Sequence, residues 1–143
     1  MNENNIKIRC RALILNEGKL LVVKHTIDDN YYALPGGKLE KGENPQECII
    51  REIQEELGVK IQNPKLAYIY KWEDYKNRDN IEFLFLIENG KDFVDLTNND
   101  RSHAFEIFEI LWMNKGDDIN LLPSQLKNEF LENNFNLKEV KFI

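Results

Sequence analysis

The chain has 143 residues, 42% hydrophobic and 31% charged, with a formal net charge of −6. That length suggests one domain over residues 1–143 with a sizeable core, and the composition is ordinary for a soluble globular protein. No apolar run is long enough for a membrane-spanning helix, and the acidic balance counts against broad nucleic-acid binding, which needs a basic patch.

The opening stretch, "MNENNIKIRC", is polar and mixed, without the basic-then-apolar order of a signal peptide, so a cytoplasmic protein is expected. Cys10 and Cys48 make no disulfide framework and are expected as reduced, partly buried thiols. His25 and His103 are far apart, and no spacing suggests a zinc site. An acidic protein that held a phosphate ester would need extra positive charge, which a divalent cation would supply.

Ile6, Ile8, Cys10, Ala12 and Ile14 alternate with Lys7, Arg9 and Arg11, as in a half-buried strand. "NEGK" at 16–19 reads as a turn and "LLVVK" at 20–24 as the return strand. "HTIDDNYYA" is expected as a loop into a short piece, "ALP", that ends at the glycine pair. A helix is predicted over 45–57. Asn44 is its N-cap, Pro45 its first residue, Glu47 closes a capping box and Gly58 stops it. At ~100° per residue, Ile49, Ile50, Ile53 and Leu57 share one face, while Glu52, Glu55 and Glu56 gather on the opposite, exposed face with Cys48 nearby. Strands are predicted at 65–72, 81–87 and 105–113, the second apolar enough to be central and covered on both sides. A closing helix over 122–134 would start near Pro123 and bury Leu126, Phe130 and Leu131. This order points to an α/β sandwich with a mixed sheet between helices.

The clustered glutamates repel one another, so the helix face is either merely solvated or built for a cation. Glycines at 36 and 37 let the backbone approach a ligand closely. Glu55 and Glu56, with a backbone oxygen of Gly36 or Gly37, would supply part of an octahedral magnesium shell, leaving positions for water and phosphate oxygens.

The stretch "GGKLEKGENPQECIIREIQEELGV" resembles the signature of the Nudix (MutT-like) hydrolases. Gly37, Glu43, Arg51, Glu52, Ile53, Glu55, Glu56, Gly58 and Val59 occupy every specified position of that signature. "YYALPGGKLEKGE" looks like the family's lead-in, and Glu106 and Glu109 stand six and three residues before Trp112 as in its later pattern. The resemblance implies a Nudix-type α/β/α sandwich with a loop-helix-loop catalytic motif. It implies hydrolysis of a diphosphate linkage in a nucleoside diphosphate joined to another group: a nucleoside triphosphate, ADP-ribose or a nucleotide sugar, or a dinucleoside polyphosphate. Mg²⁺ or Mn²⁺ is the implied cofactor, held by Glu55 and Glu56 with the Gly36 carbonyl, and Glu52 is a ligand or the base. Glu43 would help orient a water. Gly37, Arg51 and Gly58 would be structural, Arg51 by pairing with an acid. Glu106, then Glu109, is the expected acid from outside the signature, ahead of Glu82 and Glu88. Arg9, Arg11, Lys24 and Lys38 could pair with phosphates, and Tyr31, Tyr32, Trp72 and Tyr75 could stack on a base or ribose. Two other readings stay open: a non-catalytic nucleotide-binding sensor and an RNA 5′-end pyrophosphohydrolase. A homodimer is also open, since many relatives pair.

Overall fold

A computed structural model describes residues 5–97 and 99–143. Strands β1 (Lys7–Asn16) and β2 (Lys19–Lys24) form the first hairpin, and the short β3 (Gly36–Lys38) leads to helix α1 (Pro45–Leu57). Strands β4 (Lys65–Glu73) and β5 (Asp79–Ile87) follow, then β6 (Glu109–Met113), helix α2 (Gln125–Asn133) and a two-residue β7 (Lys141–Phe142). Short 3-10 turns at Gly90–Phe93 and Ala104–Glu106 lie between β5 and β6.

The sheet runs β6-β2-β1-β5-β4-β7, with β3 attached to β1 off this path. It is mixed: β1 pairs parallel with β5, whereas β4 and β5 are antiparallel. β1 serves two neighbours on its other side. Arg9–Arg11 pair with β3, and Leu15 and Asn16 pair with β2. The chain crosses between them, where the Ala12 N–H donates to the Pro35 carbonyl at 2.9 Å. That split brings the glycine pair onto the sheet beside α1.

Each face of the sheet has its own core. Cys10, Ala12 and Ile14 pack with Ile49, Ile53 and Leu57 of α1, while Leu13 and Leu84 pack with Leu126 and Phe130 of α2. Both cysteines are free and buried. β5 lies inside the sheet, as its apolar sequence requires. Among the described residues, no helix is long and apolar enough to cross a membrane.

Several predicted boundaries change. The short strand is Gly36–Lys38, not "ALP"; Ala33 makes only an isolated bridge to Val23. β6 begins at Glu109 rather than 105, because residues 104–106 turn as a 3-10 segment that leaves Phe105 80% exposed. α2 begins at Gln125, and Leu131 is 52% exposed: it lies beyond the stripe set by Leu126 and Phe130. Ile6 is exposed, one residue before the sheet begins.

Candidate active site

Helix α1 starts where its sequence says. The Asn44 side chain accepts from the Glu47 N–H at 2.8 Å, and Glu47 Oε1 accepts from the Asn44 N–H at 3.0 Å. The N–H groups of Asn44 and Glu47, two of the free donors at this helix start, are thereby satisfied. The helix ends at Gly58, whose φ of 71° suits glycine and whose N–H donates to the Gln54 carbonyl.

The acidic face is not exposed. Glu52 is 8% and Glu56 1% accessible. Cys48, Glu52 and Glu56 recur every fourth residue, so they form one stripe, and β3 lies over it. Cys48 Sγ is 3.8 Å from the Gly37 carbonyl, and the Gly36 N–H donates to Glu56 Oε1 at 3.1 Å. A Cβ on Gly37 would lie 2.5 Å from the Glu52 carboxylate, so only glycine lets the backbone come this close. Cys48 thus belongs to the core; its contact with Cys10 and its burial push its thiol pKa up.

The structure brings Glu52, Glu56 and Glu106 together, with ligand oxygens all within 4.8 Å of one another. Burial chiefly, then the neighbouring Glu52 charge, pushes Glu56 up to about 8. Burial raises Glu52 as well, opposed by Arg51. The donors are all hard carboxylate oxygens, two of them poorly solvated and mutually repelling, so the residues present fit a divalent cation of the magnesium type.

Glu55 stands apart from this cluster. Its Oε2 lies 2.7 Å from His103 Nδ1 and 3.3 Å from Arg51 Nη1. Arg51 grips Glu43 with Nε at 2.7 Å and Nη2 at 3.0 Å, donates to Glu52 at 2.9 Å, and reaches the Lys38 carbonyl at 3.1 Å. Arg51 holds the Glu43 carboxyl below its ordinary range. Glu43 therefore fastens the loop before α1 to the helix.

The Gly36 carbonyl accepts from Arg11 Nη1 at 3.2 Å. Arg11 also pairs with Glu82 at 3.2 Å, and Glu82 accepts from Trp72 Nε1 at 2.7 Å. These residues border a cavity of about 350 Å³ whose apolar and aromatic wall includes Tyr31, Leu34, Tyr70 and Leu122. His25 also lines it, and His25 Nδ1 lies 3.0 Å from the Glu106 carbonyl, so the cavity adjoins the carboxylate cluster. Tyr32 donates its hydroxyl to Glu109 and lies under Lys24, which occupies all three. Tyr75 is 87% exposed at a turn. Arg9 donates to Asn80 at 2.9 Å, and Lys38 is exposed on β3. Glu88 is near Asn63, at 3.4 Å.

Sequence reading missed how Glu106 arrives. The last carbonyls of α1 are met by one following segment: His103 N–H on Glu55, Arg101 Nε on Glu56 at 2.7 Å, and Asn99 Nδ2 on Leu57. Helix C-termini carry partial negative charge, and α1 has no basic residue in its own last turn, so Arg101 supplies it. A Cβ on Gly58 would lie 2.5 Å from Asn99, so the segment sits tightly on the helix end. Three residues past His103, Glu106 faces Glu52 and Glu56. Both histidines serve this corner, a proximity that their sequence separation concealed. Arg101→Ala is expected to lower kcat by about 10–100-fold, as outer partners of a site commonly do. In a Glu106→Gln background the same change should add little, because both act on one group. Steady-state kinetics of the double-mutant cycle tests this; additive losses would place Arg101's effect elsewhere.

The NUDIX domain family model matches residues 7–126. The chain is 29% identical over 101 residues to an ADP-ribose pyrophosphatase of Bacillus subtilis, covering 68% of this chain and 54% of that protein. It is 31% identical over 81 residues to the 8-oxo-dGTP diphosphatase of Escherichia coli, covering 54% of this chain and 62% of that protein. The chain thus spans only about half to three-fifths of these curated relatives' lengths. In fold it is similar to a MutT NUDIX hydrolase from Burkholderia pseudomallei, with TM-score 0.70 at 20% identity over 89% of this chain and 98% of that one. With its signature residues wrapped around a carboxylate cluster and a family match running from β1 into α2, this chain is a member of the NUDIX domain family.

Proposed function

We propose that the protein hydrolyses a diphosphate linkage in a nucleotide-derived small molecule, with Mg²⁺ or Mn²⁺ held by Glu52 and Glu56. The observation that carries this reading is the triad of carboxylates within 4.8 Å of one another beside an aromatic cavity. When bound, the divalent ion supplies the positive charge that diphosphate oxygens and an attacking water need in an acidic protein. Glu56 is fixed by the Gly36 N–H and Glu52 by Arg51, so both oxygens are preset and little reorganisation accompanies the reaction. Glu106 is exposed, and among the described residues its carboxylate has no hydrogen-bonding partner. It is assigned as the group that accepts the water's proton. Glu55 stays with Arg51 and His103 and fastens the Glu106 segment to the helix. The aromatic cavity takes the nucleoside, with Trp72 and Tyr70 beside the base or ribose and Arg11 between it and the glycine turn.

The names of the relatives support pyrophosphate substrates without choosing among them. The test is product release from ADP-ribose, a nucleoside triphosphate and a dinucleoside polyphosphate, with and without Mg²⁺. Turnover of at least one, only with metal, is expected. Failure on all three at saturating Mg²⁺ and Mn²⁺ would favour a nucleotide-binding module instead.

A further inference from the structure

The chain carries a net charge of −6, yet one groove beside the site is basic. It encloses about 680 Å³ between the start of β1, the turn after β3 and the β4–β5 turn. Lys7, Lys38, Lys41 and Arg78 line it, and Glu40 is the one acid among its lining residues. Glu40 Oε1 lies 3.6 Å from Arg51, toward the helix. Arg78 pairs with Asp74 at 3.1 Å, whereas Lys7, Lys38 and Lys41 make no ion pair among the described residues. Crowding is felt at Lys7, whose pKa is lowered by Arg78 foremost, then by desolvation and Arg9, with Asp74 opposing and Lys38 adding least.

Strand β1 runs from the groove to the aromatic cavity. Lys7, Arg9 and Arg11 occupy alternate positions of β1 and so share one face of the sheet. Arg9 stands opposite Lys38 across the β1–β3 pair. Arg11 borders the aromatic cavity and Lys7 lines the basic groove. The distance along the strand between them is roughly 13 Å, at the usual rise per residue. Lys38 directly follows Gly37, whose backbone rests against the Glu52 carboxylate. Like charges held together cost free energy in the unliganded protein, and an anion relieves that cost.

We infer that this groove is a metal-independent subsite for phosphate groups lying beyond the scissile diphosphate, so that small molecules with a longer phosphate chain are the preferred substrates. The substrate preference rests on the diphosphate hydrolysis proposed above; the binding of phosphate in the groove does not.

Two measurements separate the claims. In EDTA, inorganic tripolyphosphate is titrated into the whole protein while backbone amide shifts are followed by NMR. Shifts at residues 6–8, 38–41 and 78 are expected, and a Lys7→Glu/Lys41→Glu variant should bind about tenfold more weakly at moderate salt. Circular dichroism checks that the two surface changes leave the fold intact. With Mg²⁺, the same variant should lower kcat/KM for a dinucleoside tetraphosphate by about tenfold relative to ADP-ribose. Absence of tripolyphosphate shifts in the groove overturns the inference, as does an unchanged substrate ratio. If neither nucleotide is hydrolysed, the hydrolase reading fails while the metal-free titration still decides the subsite. A 5′-triphosphorylated RNA that binds the groove far more tightly than tripolyphosphate would replace the small molecule with RNA and also overturn it.

Discussion

Metal-free Glu56→Gln protein is expected to be more stable than the unsubstituted chain at pH 9 and equally stable near pH 5. Glu56 is almost fully buried, and burial pushes its carboxyl up to about 8. A carboxyl raised in the folded state favours folding most when it is protonated. Its contribution is complete below the unfolded value near 4.5 and is lost as the pH rises through about 8. The loss is on the order of 5 kcal/mol, which for a chain of this size corresponds to roughly 15 °C in melting temperature. Glutamine keeps an oxygen for the Gly36 N–H and carries no charge, so it escapes the penalty. The same change removes an anionic oxygen from the cluster proposed above to hold the divalent ion, and turnover should fall by about three orders of magnitude or more. Added Mg²⁺ should raise the melting temperature of the unsubstituted protein at pH 9 and leave that of the variant nearly unmoved. Thermal melts across pH, paired with kinetics, decide the matter. Parallel melting curves for the two proteins from pH 5 to 9 would mean that Glu56 is ionised without cost, contrary to its burial.

Arg51→Ala is expected to lose about 3 kcal/mol of stability at pH 7, because removing one member of a largely buried ionic group leaves the others uncompensated. Glu43, Glu52 and Glu55 all share this guanidinium. Lysine should restore little of the loss: it lacks the planar fork that meets both oxygens of Glu43. Arg51 lowers the Glu43 carboxyl, so its stabilisation is full above the ordinary carboxyl range and is lost as the pH falls through the depressed value. The deficit of the alanine variant should therefore shrink as the pH drops below about 4. Urea unfolding at pH 7 and pH 4 measures both. A deficit under about 0.5 kcal/mol at pH 7 would make Arg51 an ordinary surface charge.

Helix α1 was legible to its end residues because local chemistry fixes both ends: the Asn44–Glu47 box, Pro45, and a left-handed Gly58. The depth of its acids was not. At ~100° per residue a helical wheel sets Glu52 opposite Ile50 but Glu56 only about 20° from Ile49, so Glu56 flanks the apolar face, and no wheel shows that a glycine strand will lie over both acids. That strand exists only because β1 divides its pairing between β2 and β3, a non-local event. The start of β6 was misplaced for a similar reason. Phe105 and Phe108 look like strand residues, yet the carbonyls at the end of α1 hold the preceding segment, and both rings are exposed. Glu106 could be chosen because its spacing from Trp112 resembles the family's later pattern, whereas Arg101, His103 and Asn99 leave no local pattern. Tyr70 and Glu82 were likewise invisible as a pair, since β4–β5 registry alone brings them together.

The most direct test of the metal cage is calorimetric titration of Mg²⁺ into the protein at pH 7 in two buffers of different ionisation enthalpy. A cation that needs Glu56 ionised must displace its proton below about pH 8. Saturable uptake with about one proton released, absent in Glu56→Gln and falling toward none above pH 9, is the predicted result. Uptake that displaces no proton and survives in Glu56→Gln would contradict it, as would no uptake of Mg²⁺ or Mn²⁺ with or without nucleotide.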